Sequence, residues 1–400
     1  MSAHASILIY AELLSNIRQI SVGCSLPSAC SSSTEASISP DGQRLTIRHE
    51  DEELYLQLPG TVTASPALPI PKIDSRSLSW RLPLAPGATH NFSAQPESQA
   101  VPWSASDLAP GCSVKCRKCE NPIISEDTIT VWKDLPSENW AEMMEFWHCH
   151  KPDTHDHDHD HAGDEQHLAG RGYGANSRIS GQAGTGFVDL TSFLFFEKDC
   201  TNLTKAVTTA APETQPAGST NQGSPVNCSS CTTEIGVLHD ERASVTLYKW
   251  QLTISSLTPE PRPQAQPSLA NCVASMLTST LSRSGCSKSI ILPLNEVSSA
   301  SPLAESLLHI WLFNRNISFT SSALADESAV PAVKVLYRFV SREEADRLSE
   351  SITSDVQDIT LPSPAVDGVR QLLGVSNEWL PEGDRRFKEW TVGLLEKWKA

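Results

Sequence analysis

No apolar run in this 400-residue sequence approaches the roughly 20 residues that cross a bilayer. The early apolar stretch, Ile7 to Leu14, is short, contains Glu12 and lacks a basic leader, so it reads as a strand or a helix and not as a signal peptide. Basic residues are scarce: 31 Lys and Arg face 47 Asp and Glu, a net charge of -16. That deficit excludes the usual direct nucleic-acid binder, which clusters Lys and Arg to displace counterions from phosphates, and points to proteins as partners. The signature of a disulfide framework is missing too. The eleven cysteines are odd in number and two pairs have CxxC spacing, which fits metal binding in a reducing compartment better than a disulfide framework. The expected location is therefore cytoplasm and nucleus. No cysteine follows Cys286.

The chain is long enough for two or three cores, and its composition shifts suggest three segments. Residues 1–105 look β-rich. Ser39-Pro40-Asp41-Gly42 is a turn signal, and Leu54, Leu56 and Leu58 and then Leu78, Trp80 and Leu82 alternate with the period of half-buried strands. A β-sandwich or open barrel acting as scaffold is expected, with a Pro, Ser and Ala rich stretch from Pro86 to Pro110 ending it.

Residues 106–240 carry the chemistry. Cys116-Arg117-Lys118-Cys119 and Cys228-Ser229-Ser230-Cys231 are two knuckles whose four thiolates suit a tetrahedral zinc, a structural site because no coordination position stays open. Between them lies Leu135 to His150, LPSENWAEMMEFWHCH. Ser137 and Glu138 read as a helix start, and Trp140, Met143, Met144 and Trp147 fall on one helical face. A short exposed helix is expected there, ending in Cys149 and His150, ligand or nucleophile types at a polar tip. The His155 to His161 run of alternating His and Asp has nothing apolar to bury and reads as a disordered insertion, continuing into a Gly and Ser rich stretch.

Residues 241–400 read as α+β, and α+β is the class expected for the whole chain. Val245 to Trp250, Ile290 to Leu292, Leu307 to Phe313 and Ala332 to Val340 are strand candidates. Leu269, Cys272, Val273, Met276, Leu277 and Leu281 mark a helix stopped by Gly285. Trp379, Phe387, Trp390, Leu394, Leu395 and Trp398 suggest an amphipathic helix over Glu378 to Lys399.

The order of these motifs, CxxC, LPSENW with a WxCH ending, a second CxxC, AVKVLY at Ala332 to Tyr337, and Leu361-Pro362-Ser363 before a Leu-rich helix, resembles the HECT-like ubiquitin ligases known as ubiquitin-conjugating-enzyme-binding proteins. The resemblance implies a HECT-like C-terminal region, binding of a charged ubiquitin-conjugating enzyme, and transfer of ubiquitin to targets such as a cyclin. It also implies a second, non-enzymatic role as inhibitor or assembly factor of the zinc endonuclease that cuts messenger RNA precursors. In that role Leu135, Pro136, Trp140 and Trp147 grip the partner while Cys149 and His150 plug its metal site. Cys149 is then either an acceptor thiol for ubiquitin or a ligand to the partner's zinc. HECT enzymes place their acceptor Cys after a terminal Leu-Pro motif, whereas none follows Leu361-Pro362 here. The ligase reading therefore includes an adaptor that only positions the charged conjugating enzyme.

Overall fold

The computed structural model describes residues 6–70, 75–86, 101–135, 179–206, 223–255, 266–294, 306–350 and 355–399. The chain forms two compact units, residues 1–100 with 269–400, and residues 101–268.

In chain order the first unit opens with β1 (Leu8–Leu14) and β2 (Gln19–Ser25), a hairpin turned by Arg18 in the left-handed region at φ 52°. Three short strands follow, β3 (Glu35–Ile38), β4 (Arg44–His49) and β5 (Glu52–Gln57), and then β6 (Ser77–Pro83) pairs with β2. The expected turn before β4 is present: Gly42 takes φ 70°, and a Cβ there would strike the Val62 carbonyl, which leaves glycine as the residue that fits. Alternation decides which side chains go in. Ile9, Ala11 and Leu13 of β1, Val22 and Cys24 of β2, and Leu78, Trp80 and Leu82 of β6 bury against Ile38, Leu45, Ile47 and Leu56 of the small sheet.

The second unit contributes β7 (Ser113–Cys116), β8 (Pro122–Ile124), β9 (Val131–Asp134), β10 (Thr185–Val188), β11 (Ser192–Phe196), β12 (Leu203–Lys205), β13 (Ser224–Cys228), β14 (Glu234–His239), β15 (Ser244–Tyr248) and β16 (Leu252–Ser255). They form a seven-stranded sheet in the order β12-β13-β14-β15-β11-β10-β9 and a three-stranded one in the order β16-β7-β8. The apolar patch from Phe187 to Phe196 is two strands joined by a turn, in which the Asp189 N–H donates to the Ser192 carbonyl. Phe193 and Phe195 are fully buried, and Trp103 stacks on Phe193 at 6.0 Å.

The chain then returns to the first unit with α1 (Leu269–Ser284), β17 (Lys288–Pro293), β18 (Ser306–Ser321), β19 (Val330–Ser341), α2 (Arg342–Glu350), β20 (Val356–Leu361), α3 (Ser363–Glu378), β21 (Arg386–Phe387) and β22 (Trp390–Glu396). These strands join β1, β2 and β6 in a nine-stranded sheet whose main path is β21-β22-β19-β18-β1-β2-β6. Strand β1 pairs with β18, Tyr10 opposite Ser321, so the first and last segments of the chain share one sheet. Among the described residues, three α-helices beside many strands confirm the expected α+β class.

The expected terminal helix is not formed. Helix α3 ends at Glu378, and Pro381 and Gly383 break the chain before it enters β22. Trp390, Val392 and Leu394 there point inward with the two-residue period of a strand. The aromatic spacing satisfies both periods, and the proline with the β-branched Thr391 and Val392 selects the strand. Helix α3 also shields the edge of β22: the Asn377 amide donates to the carbonyls of Arg385 and Val392 at 3.0 and 2.8 Å, and the Ser376 hydroxyl accepts the Leu394 N–H at 2.9 Å.

Candidate metal centre

Each knuckle begins where a strand runs out. Strand β7 ends at Cys116 and β13 at Cys228, so a backbone committed to pairing has to turn sharply. The two turns are built alike. The Cys116 N–H donates to the Asn121 carbonyl at 2.9 Å and the Glu120 N–H to the Cys116 carbonyl at 2.8 Å. In the second knuckle the Cys228 N–H donates to Thr233 and the Thr232 N–H to Cys228, both at 2.9 Å. Glu120 and Thr232 supply the left-handed residue at φ 56° and 58°.

These turns bring Cys116, Cys119, Cys228 and Cys231 together with their four sulfurs all within 4.8 Å of one another. The Cys116 and Cys231 sulfurs lie 3.6 Å apart, and those of Cys119 and Cys228 3.5 Å apart. Disulfides have sulfurs about 2 Å apart. A tetrahedral ion with metal–sulfur bonds of about 2.3 Å would place its ligands about 3.8 Å apart. The four cysteines therefore fit one metal ion as the sequence pattern anticipates. The first cysteine of each knuckle is buried, whereas Cys119 is exposed and Cys231 half-exposed.

The thiols differ in acidity. Burial pushes Cys116 up to about 12, while the Thr233 hydroxyl, with its backbone N–H, pulls Cys231 down to about 6. A bound cation would favour the thiolate at all four positions and release the remaining protons.

A segment that local pattern did not flag joins the knuckles. Asn202, left-handed at φ 57°, accepts the Ser229 N–H on its carbonyl at 2.9 Å and donates its side-chain amide to the Pro122 carbonyl at 2.7 Å. Thr201 adds a backbone bond to Ile123 at 2.7 Å. Arg117 inside the first knuckle reaches the Leu252 carbonyl at 3.1 Å, fixing it to β16. The signal available in the sequence was an asparagine, a residue that tolerates the left-handed region.

Of the remaining expected site residues, Leu135 lies just past β9 and its N–H donates to the Val188 carbonyl at 2.7 Å. Pro136, Trp140, Trp147, Cys149 and His150 lie outside the described residues, as does the His and Asp run. Close to Leu135 a cleft of about 230 Å³ is lined by Ile179, Asp189, His239, Arg242 and Ser244 among others. Lys249 anchors this side of the unit. It is fully buried, and its ammonium donates to the carbonyls of Pro102 at 2.5 Å and Trp103 at 3.2 Å and sits 5.2 Å from the centre of the Phe193 ring. No helix among the described residues is long and apolar enough to cross a membrane.

Comparison with known proteins places the chain in a family. A protein of Schizosaccharomyces pombe described as uncharacterized is 25% identical over 355 residues, covering 86% of this chain and 90% of its own. A Saccharomyces cerevisiae protein, also described as uncharacterized, is 52% identical over 42 residues, 10% of this chain and 12% of its own. A Pongo abelii protein named as an E3 ubiquitin-protein ligase is 25% identical over 311 residues, 71% of this chain and 72% of its own. No solved structure matches. The family model of HECT-like ubiquitin-conjugating enzyme (E2)-binding proteins matches residues 12–392, nearly the whole sequence, and the chain belongs to that family.

Proposed function

We propose that this protein binds a ubiquitin-conjugating enzyme charged with ubiquitin and promotes transfer of the ubiquitin to protein targets, as ligase or as adaptor. The observation that carries the reading is the family match from residue 12 to residue 392, supported by the relative named as a ubiquitin ligase. Among the described residues the four-cysteine cluster is a support for the fold, and its sulfurs are consistent with zinc as the ion held. Four protein thiolates would saturate the ion, so its contribution is to clamp the two knuckles together; the transfer chemistry belongs elsewhere.

The chemistry of transfer requires a thiolate attacking the conjugating enzyme's thioester if the protein is itself an acceptor. No cysteine follows Leu361-Pro362, so Cys149 is the acceptor this reading names, with His150 beside it to favour the thiolate. An adaptor needs no such thiol. Incubation with charged conjugating enzyme separates the two: an adduct reversed by reductant and lost in Cys149→Ala marks an acceptor. Faster discharge with no adduct marks an adaptor. Absence of both binding and faster discharge refutes the proposal.

The sequence itself favours a second reading, because it keeps LPSENW and the WxCH ending intact. In it, Trp140 and Trp147 anchor a helix in the zinc nuclease that cuts messenger RNA precursors, and Cys149 occupies that enzyme's metal. Co-purification of the nuclease with the wild type but not with Trp140→Ala is its expected outcome. Cyclin-type targets and a shared cytoplasmic and nuclear location belong to the same set of proposals.

A further inference from the structure

The four sulfurs of the metal centre form two close pairs, and each pair bridges the knuckles. Cys116 lies 3.6 Å from Cys231, and Cys119 lies 3.5 Å from Cys228. Asn121, two residues past Cys119, adds a third bridging contact by donating its side-chain amide to the Cys228 sulfur at 3.8 Å. In each pair one cysteine is buried, Cys116 or Cys228, while its partner, Cys231 or Cys119, reaches solvent. Such a pair holds both parts of a thiol oxidation: an outer sulfur that a small hydroperoxide can reach and an inner one in contact with it. Closing to a disulfide of about 2.05 Å asks for a shift of about 1.5 Å, shared between two side chains.

Pairing inside a knuckle is the competing product, and the backbone opposes it. The Cys116 N–H and carbonyl are already engaged by Asn121 and Glu120, and those of Cys228 by Thr233 and Thr232. Arg117, between Cys116 and Cys119, is held to the Leu252 carbonyl at 3.1 Å. A bond within either knuckle has to close a four-residue ring against these contacts, whereas a bond between knuckles leaves them in place.

We propose that the cluster is a peroxide-responsive release site whose clamp outlasts its ion. The Cys119 or Cys231 thiolate attacks a hydroperoxide oxygen, the O–O bond breaks, and hydroxide leaves the sulfur as a sulfenic acid. Cys228 or Cys116 then attacks that sulfur, the S–O bond breaks, and a second hydroxide leaves as the disulfide forms. Each pair gives two electrons to one hydrogen peroxide, and both hydroxides take up protons to become water. The ion keeps its charge and is set free because its four donors are gone. The two links then join the end of β7 to the end of β13 covalently, where the ion would have joined them. A thiol reductant reverses the change. This device rests on the four-cysteine metal centre and is independent of the conjugating-enzyme reading.

The test treats the full chain, reduced and loaded with zinc, with excess hydrogen peroxide. A metallochromic indicator follows the ion, and mass spectrometry of unreduced peptides maps the links. Expected are release of one ion per chain, peptides joined through Cys116–Cys231 and Cys119–Cys228, and rebinding of the ion after dithiothreitol. The oxidised metal-free chain melts roughly 5 °C or more above the reduced metal-free chain, because links spanning 115 and 109 positions restrict the unfolded state. Cys119→Ser retains the Cys116–Cys231 link alone, and Cys286→Ser, outside the cluster, retains both. Peptides joined within the knuckles overturn the proposal, as do retention of the ion in excess peroxide and its loss with sulfinic acids in place of disulfides. Equal melting temperatures of the two metal-free forms overturn the surviving clamp. A reduced chain that takes up no zinc overturns the metal centre and the release step together, and the peptide map then decides the pairing alone.

Discussion

Glu120 and Thr232 hold the same place in two knuckles 112 positions apart, each left-handed and each donating its N–H to the carbonyl of the cysteine four residues earlier. Neither is glycine, so each turn carries a backbone cost of about 1 kcal/mol that its hydrogen bond and the sulfur cluster must offset. Thr232→Gly is expected to raise stability by up to about 1 kcal/mol, and Thr232→Pro, which cannot reach positive φ and loses the N–H given to Cys228, to lower it by about 2 kcal/mol or more. Urea midpoints of the metal-loaded protein measure both.

Removing the metal should act on the unit that contains the knuckles. Preparations kept reduced are expected to carry one tightly held ion per chain by elemental analysis, lost in Cys116→Ala and in Cys228→Ala. Cys286→Ala, outside the cluster, should keep it. A strong chelator should lower the melting temperature of the wild type and leave that of the Cys116→Ala variant unmoved.

Lys249 donates to backbone carbonyls that have no water to turn to, since the side chain is fully buried. Lys249→Met keeps the apolar stem and deletes the donor, leaving the Pro102 and Trp103 carbonyls short of a partner. The expected cost is about 2 to 3 kcal/mol, read as a fall in denaturant midpoint at unchanged slope.

His309 is held neutral. Burial, helped by the Arg338 and Lys288 charges, lowers its pKa to about 4, against about 6.5 in an unfolded chain. Between those values the unfolded state binds the extra proton, so the stability is present in full above about pH 6.5 and is lost as pH falls towards 4, by at most about 3 kcal/mol. His309→Phe, which retains a ring against Trp390, should flatten the fall in melting temperature between pH 7.5 and pH 5. An equally steep fall in that variant would assign it to other groups.

What could be read from the residues alone is what depends on local spacing. Two cysteines separated by two residues fix a knuckle, so the sequence alone names the four cysteines whose sulfurs the fold brings within reach of one ion. Leu269 to Leu281 showed its helix, and Ala332 to Val340 its strand, because one apolar face repeats at a period the backbone can use. The terminal segment is a strand where its spacing suggests a helix, because Trp390 and Leu394 lie four apart, a spacing common to a helical turn and to two strand repeats.

The order of residues therefore determined the α+β class, the two cysteine knuckles and most local elements, each through interactions spanning a handful of positions. Only the tertiary structure decided that Tyr10 lies opposite Ser321, that Asn202 joins Pro122 to Ser229, and that Phe313 meets Phe387. The reason is that a strand's alternation states which face is apolar but not which strand will satisfy its N–H and C=O groups. That choice is made among segments hundreds of residues apart by matching faces and registers in three dimensions.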